Sequence, residues 1–119
     1  MENIFHGLGI ALVTPFKQNG EIDYDALEKL IEYQLENGAD FFTILATTGE
    51  CPCLSAEEKE NLTETIISIV SGRAPILKYC GGNNTAAVVE EIKQTNWKGI
   101  DGILSICPYY NKPSQEGLY

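Results

Sequence analysis

The chain has 119 residues, of which 44% are apolar and 21% charged, a balance typical of a single globular domain rather than of a disordered segment. Its net charge of −9 would repel nucleic-acid phosphates and anionic lipid headgroups. No apolar run comes near the roughly 18 residues that a membrane-spanning helix needs, and the N-terminus lacks the pattern of a signal peptide. We therefore expect a soluble, cytoplasmic protein that binds neither nucleic acid nor membranes.

The four cysteines are expected to stay as free thiols, because the cytosol is reducing. Cys51 and Cys53 are separated by a single proline, which is a shorter spacing than structural zinc sites favour. We predict no metal site. The cysteines, which also include Cys80 and Cys107, are expected to act as small apolar side chains at strand ends.

The first strand–helix unit lies in residues 8–37. Residues 8–13 form a short apolar run that ends at Thr14 and Pro15, as expected for a strand buried on both faces. A helix is predicted from Asp23, with acidic residues in its first turn and a stop at residues 37–38. Its inward-facing residues are predicted to be Leu27, Leu30, Ile31 and Leu35.

The second unit repeats this pattern. A strand is predicted at residues 41–46, and Ser55 with Glu58 forms a capping box that opens a helix closed by Gly72. The inward-facing residues of this helix are predicted to be Leu62, Ile66, Ile69 and Val70.

Two further strands follow at residues 75–80 and 102–107. The helix between them is predicted at residues 85–95, and residues 115–119 form the first turn of another helix. The apolar face of the third helix is predicted to carry Val88, Val89 and Ile92.

This repetition of strands and helices predicts an α/β fold with a parallel sheet, since the strand starts are separated by 33, 34 and 27 positions. Two architectures fit: an open doubly wound sheet, or the first four strands and three helices of a (β/α)₈ barrel, whose usual size is about 250 residues. Periodicity does not separate them, although the chain lacks a glycine-rich motif for nucleotide binding.

In both architectures, active and ligand-binding sites lie at the C-terminal ends of the strands. Thr47 and Thr48 follow the second strand and precede Gly49, so their hydroxyls and the nearby backbone could hold a small carboxylate. A threonine cap with a turn glycine explains the same residues equally well. Tyr109 and Tyr110 follow the fourth strand, where paired tyrosines pack at an interface more often than they transfer a proton.

Other polar residues have simpler explanations. Asn83, Asn84 and Thr85 are expected to cap the third helix. Lys78 could be a Schiff-base nucleophile if it were desolvated, but a lysine within a strand more simply points into the helix layer and reaches water. His6, the only histidine, precedes the first strand and is expected at the surface.

Three segments resemble a known family. Residues 46–50 (ATTGE) resemble the GTTGE motif of the dihydrodipicolinate synthase and N-acetylneuraminate lyase family, which are Schiff-base aldolases on (β/α)₈ barrels. Residues 108–117 (PYYNKPSQEG) resemble the segment typical of its dihydrodipicolinate synthase branch, and residues 11–16 resemble the family's opening strand. By this resemblance, residues 1–119 are the N-terminal part of one barrel domain, about two-fifths of a family member, and the remainder is absent from this chain.

The resemblance implies a lyase without metal or cofactor. It would condense pyruvate, held as a lysine Schiff base, with aspartate semialdehyde to give 4-hydroxy-tetrahydrodipicolinate, in lysine and diaminopimelate biosynthesis. Thr48 would bind the pyruvate carboxylate, Thr47 and Tyr110 would relay protons, and Tyr109 would lie at the tight dimer interface of a homotetramer. The Schiff-base lysine would lie beyond Tyr119, so the 119 residues alone are predicted to be inactive.

The resemblance also bears on regulation. Asn83 and Tyr109 match positions that bind inhibitory lysine in regulated members, but Ala56 and Ala87 stand where those members carry a histidine and a glutamate. We therefore expect no tight lysine binding.

Two alternative functions are retained. One is a sibling pyruvate-dependent aldolase, either an N-acetylneuraminate lyase or a 2-keto-3-deoxy sugar acid aldolase. The other is a non-catalytic fragment that acts as a binding or assembly module, and a half-barrel of this kind would have two open strand edges and form oligomers.

Overall fold

The computed structural model describes residues 3–119, and these form one four-stranded parallel sheet. Its strands, in the order β1-β2-β3-β4 across the sheet, are Gly9–Ala11, Phe41–Ile44, Ile76–Tyr79 and Gly102–Leu104. A doubly wound sheet reverses its strand order at a switch point, whereas a barrel keeps its strands in sequence order. The observed order therefore favours the barrel among the two predicted architectures.

The helices are α1 (Tyr24–Glu36), α2 (Ala56–Val70), α3 (Thr85–Gln94) and α4 (Gln115–Leu118). Capping side chains fix where they begin. Asp23 accepts a hydrogen bond from a backbone N–H of α1 at 3.0 Å, and Asn84 accepts one from α3 at 3.3 Å. The predicted capping box opens α2: the Ser55 N–H donates to Glu58 Oε2 at 2.8 Å, and the Glu58 N–H donates to Ser55 Oγ at 3.2 Å.

All four strands are shorter than their apolar runs predict. The second run was predicted to extend to Ala46, but β2 ends at Ile44 because Leu45 has a φ of +57°, outside the extended region. Backbone pairing still continues for one residue past two other strands, since Leu12 donates to Thr43 O and Cys80 to Leu104 O. Apolar character does not mark burial at every end of these runs, because Leu8 and Val13 are 53% and 46% exposed. The expectation that the first run is buried on both faces was therefore wrong.

The core lies between the sheet and the helices α1 and α2. Phe42 and Ile44 on β2 and Ile76 on β3 are buried and face the helices. The helix residues that pack against them are Leu27, Ile31, Leu62, Ile66 and Val70, all predicted to face inward. The other predicted inward residues, Leu30, Leu35 and Ile69, are partly buried at the edge of the same core.

Helix α3 contributes less to this core. Val88 and Ile92 lie four positions apart on one face and are partly buried, whereas Val89 is 43% exposed. The prediction that Val89 belongs to the apolar face was therefore wrong, because the buried stripe of α3 is only one residue wide.

The four cysteines are free thiols. Cys80 follows β3 and is fully buried, as predicted for a small apolar side chain at a strand end. Cys51 and Cys53 instead lie in a 3₁₀ turn, although Cys51 is partly buried and packs against the core as an apolar side chain. Cys53 and Cys107 are exposed, so the prediction was wrong for these two. Within residues 3–119, no three histidine, cysteine or acidic side chains are placed to hold a metal ion. None of the helices described is long and apolar enough to cross a membrane.

Candidate active site

The carboxyl ends of the four parallel strands lie along one edge of the sheet, and a loop with polar residues or glycine follows each of them. Thr14 comes shortly after β1, Thr47 after β2, Gly81 after β3 and Tyr109 after β4. In parallel α/β folds this edge is where ligands bind. The topology therefore brings the predicted threonines and tyrosines to one side of the molecule.

Thr47 and Thr48 lie in a 3₁₀ turn, Thr47–Gly49, which begins just after β2. Both threonines are exposed, so their hydroxyls are open to a small molecule. Leu45 and Glu50, with φ angles of +57° and +54°, flank the turn in the left-handed region. This conformation costs a non-glycine residue roughly 1–2 kcal/mol, and such strain occurs often at functional sites.

A residue just after β1 anchors this turn by a hydrogen bond. Thr14 Oγ1 donates a hydrogen bond of 2.7 Å to the carbonyl oxygen of Gly49, and both residues are buried. A Cβ at Gly49 would lie 3.1 Å from the Leu12 carbonyl oxygen, closer than most such contacts, so a glycine is favoured here. Thr14 was not predicted to contribute to the site. The available signal was a threonine ending a buried strand, since a buried hydroxyl requires a hydrogen-bond partner.

Ala46 replaces the first glycine of the family motif without strain. Its φ of −80° and ψ of −174° are ordinary extended values. The left-handed backbone conformation falls on Leu45 instead, with a φ of +57°.

Tyr109 and Tyr110 form an edge-to-face pair, with ring centroids 5.6 Å apart and ring planes at 70°. Tyr110 is 88% exposed and has a φ of +67°. An exposed phenol on a strained backbone contributes little to the stability of its own domain. This geometry leaves the Tyr110 hydroxyl available to a substrate or to another chain.

Lys78 lies on the face of β3 that packs against the helices, as predicted, but it is only 8% exposed, so the expectation that it reaches water was wrong. It alternates with Leu77 and Tyr79 along β3, and it lines a groove of about 600 Å³ between α2 and α3. Its Nζ lies 5.9 Å from the centroid of the Trp97 ring. Asn83, which precedes the cap residue Asn84, is exposed, and so is His6.

Two groups at the end of β3 have raised pKa values. Burial raises the pKa of the Cys80 thiol to about 11, with a further contribution from the Glu91 carboxylate. Burial also raises the pKa of Tyr79, to which the neighbouring Tyr109 phenol adds. Both groups are therefore neutral near pH 7. The sequence analysis missed Tyr79, because its position within a strand gave no signal of chemistry.

A parallel sheet in sequence order, with polar residues gathered past its carboxyl edge, defines the class of (β/α) barrel proteins. The sequence matches the family described as "Dihydrodipicolinate synthetase family" over residues 4–119. The chain belongs to this family.

Relatives with named activities also place the chain in this family. The chain is 53% identical over 113 residues to a 4-hydroxy-tetrahydrodipicolinate synthase of Parabacteroides distasonis, a match covering 95% of this chain and 38% of the relative. It is 46% identical over 116 residues to the 4-hydroxy-tetrahydrodipicolinate synthase of Thermotoga maritima, and this match covers 98% of this chain and 39% of the relative. The chain thus spans less than two-fifths of the length of these relatives.

Solved structures agree as well. The dihydrodipicolinate synthase of Thermotoga maritima superimposes with a TM-score of 0.90 at 45% identity, over 98% of this chain and 39% of that one. YagE of Escherichia coli K12 is a prophage protein of the same family that was solved in complex with pyruvate. It superimposes with a TM-score of 0.85 at 32% identity, over 98% of this chain and 39% of YagE. These matches confirm the (β/α)₈ fold class, of which the chain carries the first four strands and the three helices between them.

Proposed function

We propose that residues 1–119 are the N-terminal part of one barrel domain of a 4-hydroxy-tetrahydrodipicolinate synthase. The reaction condenses pyruvate with aspartate semialdehyde, in lysine and diaminopimelate biosynthesis. The observation that carries the proposal is the exposed threonine turn, Thr47–Gly49, anchored to β1 at the carboxyl edge of the sheet. It occurs in a chain 53% identical to a synthase of this activity.

Thr48 binds the carboxylate of pyruvate. Its exposed hydroxyl can donate one hydrogen bond to that carboxylate. Hydrogen bonds from neutral donors to a carboxylate are charge-assisted and shorter than those between neutral groups. A small carboxylate is therefore held without a cation in this part of the chain.

Thr47 and Tyr110 relay protons during imine formation. When a lysine amine attacks the keto carbon, the resulting carbinolamine must lose water, so its hydroxyl oxygen has to receive a proton. A hydroxyl donates one proton while accepting another, and a pair of them moves a proton without holding charge. The exposure of Tyr110 supports its reaching another active site across a tight dimer, with Tyr109 packed at the interface.

The nucleophilic lysine is supplied by sequence outside these 119 residues. Lys78 is the lysine within the sheet described here, and it faces the groove between α2 and α3 rather than the edge that carries Thr48. Residues 1–119 on their own are accordingly inactive. The complete cytoplasmic enzyme is a homotetramer of tight dimers that requires no cofactor, and Asn83 and Tyr109 give it no tight lysine site.

Pyruvate as the first substrate is supported by two relatives. YagE and the dihydrodipicolinate synthase of Acinetobacter baumannii have both been solved in complex with pyruvate. The chain is 32% and 40% identical to them. The identity of the second substrate rests on the relatives named as synthases.

The test supplies pyruvate to the intact protein that carries these residues, together with either aspartate semialdehyde or N-acetylmannosamine, and identifies the products by mass spectrometry. We expect condensation with aspartate semialdehyde and its loss in Thr48→Val, while Thr65→Val, in the second half of α2, stays active. Preferential condensation with the sugar would instead establish the sibling aldolase. No product with either aldehyde would favour the binding module.

A further inference from the structure

The inner face of the sheet, opposite the helices, carries an aromatic side chain near the candidate site. Ile76 and Lys78 face the helices, so Leu77 and Tyr79 face the other way. Tyr79 pairs in register with Leu104 of β4, the last residue of that strand. Tyr79 is thus the last residue of β3, and its side chain lies on the face that lines the interior of a barrel.

The ring extends towards the carboxyl edge. A Cβ at Gly81, two residues further along, would lie 3.1 Å from Tyr79 Oη and 3.2 Å from Tyr79 Cζ. The same position is 3.2 Å from the backbone nitrogen of Ile106, past the end of β4. The tip of the phenol therefore occupies the space that a side chain at Gly81 would fill, and the absence of a side chain there makes room for it.

The interior of an eight-stranded barrel is only wide enough for side chains to fill. A tyrosine ring at the carboxyl end of β3 lies at the same edge of the sheet as the turn that carries Thr48, and at the mouth of the barrel it occupies space that a bound substrate would otherwise use. Burial raises the pKa of Tyr79, so the phenol stays neutral and does not repel substrate carboxylates. The effect that we assign to Tyr79 is that of the space its ring fills.

We propose that Tyr79 is a specificity-determining residue, which limits the second substrate to a short aldehyde and excludes aldehydes of sugar length. This inference rests on the proposed function, because it names the size class accepted at that same site. Pyruvate is bound at the Thr48 turn after β2, and its binding does not depend on the space that Tyr79 fills.

The experiment compares the intact wild-type protein with Tyr79→Ala, Tyr79→Val and Tyr79→Phe, and with Tyr33→Ala on the exposed face of α1 as the matched control. Borohydride trapping of pyruvate first establishes which variants keep a working first half-reaction. The kcat/KM values for aspartate semialdehyde and for N-acetylmannosamine are then measured with each. Tyr79→Val keeps a residue that favours strands, in case alanine destabilises β3.

We expect the ratio of sugar to semialdehyde kcat/KM to rise about 10-fold or more in Tyr79→Ala and Tyr79→Val. Tyr79→Phe, which keeps the ring, and Tyr33→Ala should match the wild type. The inference is overturned if the small variants trap pyruvate with an unchanged ratio, if Tyr79→Phe shifts the ratio as far as they do, or if neither small variant traps pyruvate. Failure of the wild-type protein to trap pyruvate would instead overturn the proposed function, and this inference with it.

Discussion

Thr14 Oγ1 and the carbonyl oxygen of Gly49 are joined by a buried hydrogen bond of 2.7 Å, although 35 positions separate the two residues. The bond links the end of β1 to the turn after β2. Because Gly49 is the last residue of the turn that contains Thr47 and Thr48, the position of both hydroxyls depends on a side chain from another strand.

Removing this donor should loosen the turn. In Thr14→Val the Gly49 carbonyl loses its partner in a buried place, which costs about 1–3 kcal/mol of unfolding free energy. We also expect a higher KM for pyruvate, while Thr14→Ser, which keeps the hydroxyl, should behave like the wild type. Urea unfolding and steady-state kinetics of the intact protein measure both effects. Equal pyruvate KM values in Thr14→Val and the wild type would show that the turn needs no such anchor.

Tyr110→Phe should separate catalysis from stability. The side chain is 88% exposed, so the free energy of unfolding should change by less than about 0.5 kcal/mol. Loss of the relay hydroxyl should lower kcat about 10²-fold, as expected for a positioned proton-transfer group. Tyr33→Phe, at another exposed tyrosine, is the control. An unchanged kcat for Tyr110→Phe would remove this residue from the relay.

Much of the fold could be predicted from sequence because its signals are local. The capping box of Ser55 and Glu58 needs only residues three positions apart, and the apolar spacing of α1 and α2 follows the helical period. The boundaries of the strands could not be predicted as well. The end of β2 depends on the left-handed conformation of Leu45, and a buried leucine gives no sequence signal for that conformation.

The candidate site could be predicted in part. Thr47, Thr48 and Tyr110 lie in segments that resemble family motifs, so their place past the strand ends followed from the sequence. The contribution of Thr14 depends on a contact across 35 positions, and that of Tyr79 on which face of β3 it occupies and on the space above Gly81. Neither property is encoded within a short window of sequence.

Ser55→Ala should destabilise the chain by about 1 kcal/mol, because the N-terminus of α2 loses the side-chain acceptor of its capping box. Ser68→Ala, on the exposed face of the same helix, should be neutral or slightly stabilising, since alanine favours helices. Chemical denaturation of both variants tests the difference. Equal stabilities would show that the cap contributes nothing to α2.

Glu32 should make the free energy of unfolding fall as the pH is lowered into the acid range. Arg73 donates to both of its carboxylate oxygens, at 2.7 and 2.5 Å, and this pairing lowers the pKa of Glu32 in the folded chain. The stabilisation is therefore present above the ordinary glutamate pKa of 4.5 and is lost as the pH falls through the lower folded value. Glu32→Gln should be less stable than the wild type at pH 7 and nearly equal at pH 2.

The test measures the unfolding free energies of the wild type and Glu32→Gln between pH 2 and 7, where the difference between them should shrink as the pH falls. Glu36→Gln, near the end of the same helix, is the control and should not show it. High salt should reduce the effect, because both partners of the ion pair are partly exposed. A difference between wild type and Glu32→Gln that stays constant with pH would contradict the assignment.

We have proposed that these residues belong to a Schiff-base aldolase whose nucleophilic lysine lies outside them. The most direct test of this proposal treats the intact protein with pyruvate and borohydride, then determines the intact mass and maps the modified lysine by peptide mass spectrometry. We predict one pyruvate adduct per chain, on a lysine outside residues 1–119, and an unchanged adduct in Lys78→Met. No adduct, or an adduct on Lys78, would contradict the account.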